Sequence, residues 1–238
     1  MRFYTFSAII LAMILLIPVN ARAWDVSYDG NVMPNDVLLG SERWNNSNTY
    51  FFDDSNSSVS DGVLHLNDSS TDTNVFYDRV TSVGGSLTIE ARVKVLSQTA
   101  PVYPPFASGS VFGGESPGVR VFVNMASDGI WGYYGDNNSM WSYSVDMTGF
   151  HVIRAAWNDT KIFHIWLDGN EVFSGSAMPR GQGWVGFGSN SLSATSDSYW
   201  DYVRYSQEYL PVPEPSSLAV LGFALTGLSA GLVRRRRR

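Results

Sequence analysis

The fold is decided by the stretch Leu87-Thr88-Ile89-Glu90-Ala91-Arg92-Val93-Lys94-Val95. Its odd-numbered positions are all apolar and its even-numbered positions are all polar. A repeat of two is that of a β-strand, whose successive side chains point to opposite faces of a sheet. The stretch therefore predicts a strand with one face in a hydrophobic core and the other face in water.

Alternation of this kind recurs across the chain body, from Trp24 to Pro213, without a helical period. Residues 161–167 lead into Asp168-Gly169, and an Asp-Gly pair between apolar stretches is a strong hairpin signal. Many short strands separated by turns predict an antiparallel sandwich or barrel. Residues 97–117 contain four prolines and three glycines, which favours a long loop, or a loop around a short edge strand. Further strands are predicted at 63–67, 74–80, 119–123, 130–134, 151–157, 183–188 and 199–205.

The charges are unevenly distributed along the 238 residues. Seven of the 16 basic residues lie at the two ends, and the body between them has 21 acidic and 9 basic residues, a net charge of −12. A body this acidic repels phosphate backbones, which argues against nucleic acid as a partner. Because the chain has no cysteine, it has no disulfide framework, no cysteine zinc cluster and no thiol nucleophile.

The N-terminal residues 1–23 have the features of a secretory signal peptide. Arg2 precedes an almost unbroken apolar stretch at 8–19, and Ala21 and Ala23 are the small residues that signal peptidase requires before its cleavage site. Cleavage after Ala23 would make Trp24 the mature N-terminus. The signal peptide predicts export across the inner membrane, and the alternative is an uncleaved membrane anchor.

The C-terminus has three parts: Val212-Pro213-Glu214-Pro215-Ser216, an apolar run at 218–233, and five arginines at 234–238. Sixteen helical residues rise about 24 Å, slightly less than a hydrocarbon core of about 30 Å. We therefore expect a single hydrophobic helix here. The arginines stay in the cytoplasm by the positive-inside rule, so the body lies outside it.

This order of parts resembles the PEP-CTERM sorting signal of Gram-negative bacteria that make exopolysaccharide, over residues 211–238. The resemblance implies that Pro213, Glu214 and Pro215 are the recognition motif of an exosortase, a membrane-embedded transpeptidase-like enzyme. Two prolines also keep this stretch extended and unpaired, which suits capture by a processing enzyme. The helix would then hold the protein at the inner membrane only transiently, before the protein reaches the cell surface or the extracellular matrix.

The body resembles the concanavalin A-like lectin and glucanase superfamily, in its LamG-like branch. The resemblance spans about 28–206 and implies a jelly roll of two antiparallel sheets, whose concave face binds glycan in many relatives. It is carried, in order, by a first strand near 28–34 and by 86–95, 118–121, 150–154, 165–169 and 199–205. The expected domains are a signal peptide at 1–23, a β-sandwich at 24–206, a linker at 207–212 and the sorting signal at 213–238.

No catalytic motif accompanies this resemblance. Laminarinase-type relatives carry Glu-x-Asp-x-x-Glu on one strand, whereas Glu90 is followed by neither of the later acids. His65, His151 and His164 are not accompanied by Gly-x-Ser-x-Gly or His-Glu-x-x-His and are predicted to be ordinary surface or strand histidines. We therefore predict a non-catalytic protein. The alternatives are a divergent glycan-cleaving enzyme with an acid pair across strands, and a purely structural matrix protein.

Aromatic residues provide the best candidate binding site. A repeat of two places Trp131 with Tyr133 on one strand face, and Trp141 with Tyr143 on one strand face. Flat rings stack on sugars, and a nearby amide such as Asn137 can hydrogen bond to hydroxyl groups. These five residues are the predicted site for an extracellular polysaccharide. The alternative is that the rings fill the sandwich core.

The superfamily resemblance also implies a structural calcium ion, held by an acid from the last strand and by groups from the first. Asp201 matches the last-strand position, and Asp29 with Gly30 matches the first. Their oxygen atoms suit calcium. This chain departs from the family pattern, because relatives usually have a glutamate where it has Asp29 or Asp25. No other cofactor is expected.

Overall fold

A computed structural model describes residues 24–36, 44–46, 52–81, 85–99, 109–190 and 194–210, and these residues form fifteen strands. No helix long and apolar enough to cross a membrane occurs among them. The predicted signal peptide, with Ala21 and Ala23, and the sorting signal, with Pro213, Glu214 and Pro215, lie outside the described residues. The strands are β1 (Val26–Tyr28), β2 (Asn45–Asn46), β3 (Ser58–Ser60), β4 (Val63–Asp68), β5 (Val75–Val80), β6 (Leu87–Thr99), β7 (Ser110–Ser116), β8 (Val119–Ala126), β9 (Gly129–Tyr134), β10 (Ser139–Ser144), β11 (His151–Trp157), β12 (Ile162–Leu167), β13 (Asn170–Ser176), β14 (Trp184–Ser189) and β15 (Thr195–Ser206).

The strands form two antiparallel sheets, which confirms the all-β prediction. One sheet has the order β13-β12-β11-β6-β15-β4-β3, with β1 also paired to β15, and contains eight strands. The other has seven, in the order β10-β9-β8-β7-β14-β5-β2. The inner faces of the two sheets share one hydrophobic core. The face of each sheet that points away from this core is called its outer face below.

The stretch 87–95 lies in strand β6, near the middle of the eight-stranded sheet. Ile89, Ala91, Val93 and Val95 are completely buried in the core, as the alternation predicts. Full burial of a valine or isoleucine side chain contributes about 1.5–3 kcal/mol. Glu90 is also buried, although it points to the outer face, and the reason lies in its ionic partners described below.

The predicted hairpin at Asp168-Gly169 is confirmed. Strands β12 and β13 pair on either side of it, with Leu167 opposite Asn170. Asp168 and Gly169 have φ angles of 50° and 82°. Positive φ at both central residues is the geometry of a type I′ turn, whose twist matches that of the strands it joins.

The loop predicted for residues 97–117 is wrong for much of its length. Strand β6 continues to Thr99, and Ser110–Ser116 form β7, the central strand of the seven-stranded sheet. The glycines in this segment reflect crowding between strands: a Cβ atom on Gly113 would lie 2.2 Å from the carbonyl oxygen of Val121, and one on Gly114 would lie 2.8 Å from that of Trp184. Residues 100–108, with three of the four prolines, lie outside the described residues.

Candidate functional site

The aromatic residues of the predicted site lie on opposite faces of the seven-stranded sheet. In the β9–β10 hairpin, Trp131 lies opposite Ser142 and Trp141 lies opposite Gly132. Residues opposite each other share a face, and neighbours along a strand do not. Trp131 and Tyr133 therefore share the outer face, whereas Trp141 and Tyr143 share the inner face. Asn137 is exposed in the turn between the two strands.

Trp141 belongs to the hydrophobic core. It is 5% exposed and stacks on Phe173 of the facing sheet, with ring centroids 4.9 Å apart and an interplanar angle of 11°. Gly132 makes room for it, because a Cβ atom there would lie 2.7 Å from the indole nitrogen. Tyr143 is 43% exposed at the sheet edge. Trp141 therefore fills the sandwich core, which was the alternative to a binding role for these rings. Its ring is not accessible for stacking on a sugar.

The outer face of the seven-stranded sheet carries a larger aromatic surface than the sequence indicated. Trp184 contacts Phe122 at 5.3 Å and Phe76 at 5.8 Å between ring centroids. Trp184, Phe122 and Trp131 are partly exposed, whereas Phe76 and Tyr133 are buried and support them. We call these five residues the aromatic face. Its three partly exposed rings extend from β14 to β9, about 14 Å at the usual strand spacing.

Two glycines on the central strands make this surface possible. Phe122 lies opposite Gly113, and Gly113 lies opposite Gly186. A Cβ atom on Gly113 would lie 2.7 Å from the Phe122 ring, and one on Gly186 would lie 2.5 Å from the Phe76 ring. Because Gly113 and Gly186 have no side chains, the Phe122 and Phe76 rings lie directly over the backbone of these strands. Both rings contact Trp184 there. The sequence does contain one signal for this surface, because a glycine inside a strand indicates that another group packs closely against the backbone at that position.

The acidic groups near the aromatic face are not arranged for a retaining glycosidase. Glu115 is buried, forms an ion pair with Arg120 and accepts a hydrogen bond of 2.9 Å from the backbone N–H of Gln182. Asp78 lies on the same face, where burial raises its pKa to about 6. Strand β14 separates Asp78 from Glu115, so their strands are about 10 Å apart. A retaining pair needs about 5–5.5 Å between its carboxyl groups.

The residues predicted to hold calcium lie close together. A Cβ atom on Gly30 would lie 2.9 Å from the carbonyl oxygen of Asp201. The carboxylate of Asp201 forms an ion pair with Arg92, and Asp29 accepts a hydrogen bond of 2.6 Å from the Ser27 hydroxyl. The described part of the chain contains no group of three or more histidine or acidic side chains placed to share a metal ion. Calcium binding stays a prediction.

His65 and His164 lie on the outer face of the eight-stranded sheet, whereas His151 lies at an inner-face position at the start of β11, opposite Val93. Each histidine contacts a carboxylate. The nitrogen–oxygen distances are 2.8 Å for His65 to Asp197, 2.7 Å for His151 to Asp168 and 3.1 Å for His164 to Glu171. These are partly exposed pairs along the strands. They fit the prediction of ordinary strand histidines.

A buried ionic cluster on the outer face of the eight-stranded sheet was not predicted. Glu90, 2% exposed, accepts hydrogen bonds of 2.6 Å from Arg154 Nε, 2.6 Å from Arg204 Nη2 and 2.9 Å from the Tyr202 hydroxyl. The indole of Trp24 lies beside both guanidinium groups, at 5.3 Å and 4.4 Å from its ring centroid. A cavity of about 400 Å³ adjoins the cluster. Because both arginines share one carboxylate, the cluster fixes the positions of their remaining N–H groups.

Comparisons with known proteins agree with this picture at the level of sorting and fold. Residues 211–238 match the model of the PEP-CTERM protein-sorting motif, which implies an exported protein processed by an exosortase. No functionally curated protein has a detectably similar sequence.

Among solved structures, one from a study of the endo-acting O-glycanases of human gut microbiota is 14% identical, with a TM-score of 0.50, and covers 78% of this chain and 100% of that chain. A β-1,3-1,4-glucanase (lichenase) from a mouse hindgut metagenome is 16% identical, with a TM-score of 0.46 and coverages of 69% and 90%. The receptor-binding domain of botulinum neurotoxin type G is 13% identical, with a TM-score of 0.45 and coverages of 67% and 43%. This likeness is one of fold: the body is a jelly-roll sandwich of two antiparallel sheets.

Proposed function

For a chain that carries a PEP-CTERM signal behind a concanavalin A-like sandwich, we propose the function of a cell-surface or matrix protein that binds an extracellular polysaccharide without cleaving it. The observation that carries this proposal is the aromatic face. Three partly exposed rings, Trp184, Phe122 and Trp131, follow one another across the outer face of one sheet. Their span of about 14 Å suits several sugar units of a chain rather than one isolated sugar.

The chemistry of this surface suits sugar binding. Each stacked ring contributes on the order of 1 kcal/mol beyond plain area burial, by analogy with aromatic pairs. Polar groups lie beside the rings: Asn124, opposite Trp131, donates a hydrogen bond of 3.3 Å to the Trp131 carbonyl oxygen, and the guanidinium of Arg120, paired with Glu115, lies 5.8 Å from the Phe122 ring centroid. Apolar rings with a few polar groups at their margin are typical of ligand sites.

Hydrolysis is the alternative function, and the acids near the aromatic face argue against it. Glu115 is already committed to Arg120 and to a backbone N–H. Asp78 lies on the same face, but the intervening strand places it beyond the separation of about 5–5.5 Å of a retaining pair. The ion pair of Glu115 with Arg120 also argues against an inverting pair, whose carboxyl groups are about 6.5–9.5 Å apart. The polysaccharide is therefore a ligand in this proposal and not a substrate.

Affinity electrophoresis in gels that contain the host's own polysaccharide tests binding. We expect wild type to be retarded and Trp131→Ala and Trp184→Ala to be retarded about fivefold to tenfold less, since 1.4 kcal/mol corresponds to a factor of ten. Tyr143→Ala, which removes an exposed ring from the opposite face of the same sheet, is the matched control and should behave as wild type. An unretarded wild type would refute binding, and accumulation of reducing sugar ends would support hydrolysis instead.

The sorting half of the proposal concerns the tail. We expect an exosortase to process the chain near Pro215, so that the hydrophobic run at 218–233 and the arginines are removed and the mature protein leaves the inner membrane. The intact mass of the surface-released protein tests this. A mass that still includes residues 218–238 would contradict the proposed processing.

A further inference from the structure

The predicted linker at 207–212 begins as a segment bound to the sandwich. Residues 207–210, called the strap here, lie along the outer face of the eight-stranded sheet. The Thr88 hydroxyl donates a hydrogen bond of 2.7 Å to the carbonyl oxygen of Glu208 and accepts one of 2.9 Å from the backbone N–H of Leu210. Thr88 is completely buried, so one hydroxyl fixes two residues of the strap from inside the sheet.

The strap is held at both ends. At its start, the backbone N–H of Gln207 donates a hydrogen bond of 2.6 Å to the carboxylate of Asp25. At its end, Arg154 Nη1 donates one of 3.2 Å to the carbonyl oxygen of Leu210, whose side chain is 8% exposed. Arg154 is itself held by Glu90. The buried ionic cluster therefore fixes the last carbonyl group before Pro211.

Only Pro211 and Val212 separate the strap from the sorting motif at 213–215. Three residues beyond Leu210 span at most about 10 Å. As long as the strap is bound, the chain can carry the motif no farther than this from Leu210, which lies on a sheet that is about 30 Å wide at the usual strand spacing. An enzyme embedded in the membrane would therefore have to take up the motif within about 10 Å of the folded sandwich.

We infer that the strap restrains processing of the tail: the strapped protein is a poor exosortase substrate, and release of residues 207–210 from Thr88 and Arg154 exposes the motif. This inference rests on the proposed processing and adds a control point to it. The restraint forms only when the sandwich is folded, because Asp25, Thr88 and Arg154 come from distant parts of the sequence. Release lengthens the unbound chain before Pro213 from two residues to six.

Pulse labelling of the full-length chain in an exporting host with its exosortase, followed by the half-time of tail loss, tests the inference. Thr88→Val keeps the shape of the side chain and removes both hydrogen bonds, and we expect processing to be about tenfold faster. Thr88→Ser keeps the hydroxyl and should process as wild type. Thr99→Val, on the same strand but away from the strap, is the matched control for the loss of a threonine hydroxyl.

A second variant tests the inference without changing any residue of the sheet, so its result does not depend on the stability of the sandwich. Six Gly and Ser residues inserted between Leu210 and Pro211 leave the strap in place and remove the limit on reach, so processing should again be faster. Unchanged or slower tail loss in both Thr88→Val and the insertion variant would overturn the inference. Glu214→Ala tests the premise separately: if it loses its tail at the wild-type rate, or if wild type keeps its tail, exosortase processing itself fails and the inference fails with it.

Discussion

Replacement of Asp68 by asparagine should remove part of the pH dependence of folding. Asp68 ends strand β4 inside the sandwich, is 2% exposed and accepts a hydrogen bond from the Ser189 hydroxyl of the facing sheet. Burial disfavours the charged carboxylate and raises its pKa from 3.8 to about 6, although the Ser189 hydrogen bond acts in the opposite direction. The folded protein therefore keeps a proton on Asp68 that the unfolded chain has already lost.

The sign and size of the effect follow from proton linkage. Between pH 4 and pH 6 the folded state binds more protons at this site than the unfolded state, so the free energy of unfolding falls as the pH rises through this window. A shift of two pKa units corresponds to about 2–3 kcal/mol. This contribution is fully present below pH 4 and lost above pH 6. Asparagine keeps the shape of the side chain but cannot ionise, so Asp68→Asn should gain about 2 kcal/mol relative to wild type between pH 4.5 and pH 7.5, because wild type has already lost part of the contribution at pH 4.5.

Urea unfolding followed by tryptophan fluorescence measures this difference at several pH values. Asp78, whose pKa burial also raises to about 6, keeps a similar dependence in both proteins, so the slope should be reduced and not abolished. Asp136→Asn, in the exposed β9–β10 turn, is the matched control. If the stability difference between Asp68→Asn and wild type is the same at pH 4.5 and pH 7.5, Asp68 titrates normally and the reasoning is refuted.

Three further substitutions test the packing. Glu90→Gln leaves two partly buried arginines without their shared buried counter-charge and should cost about 3 kcal/mol in urea unfolding, whereas Glu171→Gln at an exposed pair should cost less than 1 kcal/mol; equal costs would contradict the buried cluster. Trp141→Ala should cost about 3–5 kcal/mol as a core truncation, and a folded variant of unchanged stability would place the ring outside the core. Gly186→Ala pushes a Cβ atom into the ring above it and should cost about 1–3 kcal/mol, whereas Gly149→Ala, with open space around its Cβ position, should change stability by less than 0.5 kcal/mol.

Periodicity predicted the strands well because one face of each strand enters the core. Strand β11 has the predicted bounds, 151–157, and β6 includes all of the stretch 87–95. Periodicity failed at β7, where two adjacent glycines and a following proline indicate a loop by composition. Their actual cause is close contact with both neighbouring strands. A sequence shows that glycine is present but not which atoms fill the space beside it.

The candidate site could be predicted only in part, for a related reason. A repeat of two correctly pairs Trp131 with Tyr133 and Trp141 with Tyr143, but it does not say which pair enters the core. The register of the β9–β10 hairpin decides that, since a shift of one residue would exchange the two faces. The Glu90 cluster was missed because its arginines lie 64 and 114 residues away along the chain, and only the order of the strands brings them together.

The order of the strands also separates two roles between the two sheets. Trp24 and the strap both lie on the outer face of the eight-stranded sheet, where Trp24 contacts Arg154 and Arg204, and Leu210 hydrogen bonds to Arg154. The segments that adjoin the predicted signal peptide and the sorting signal therefore both connect to that sheet. The aromatic face lies on the opposite side of the core, on the seven-stranded sheet. A protein attached through its tail can thus keep the tail on one side of the sandwich and its aromatic face on the other, so polysaccharide binding does not need to wait for tail removal. If the two faces act independently, Trp184→Ala should weaken polysaccharide binding without changing the half-time of tail loss, and Thr88→Val should do the reverse.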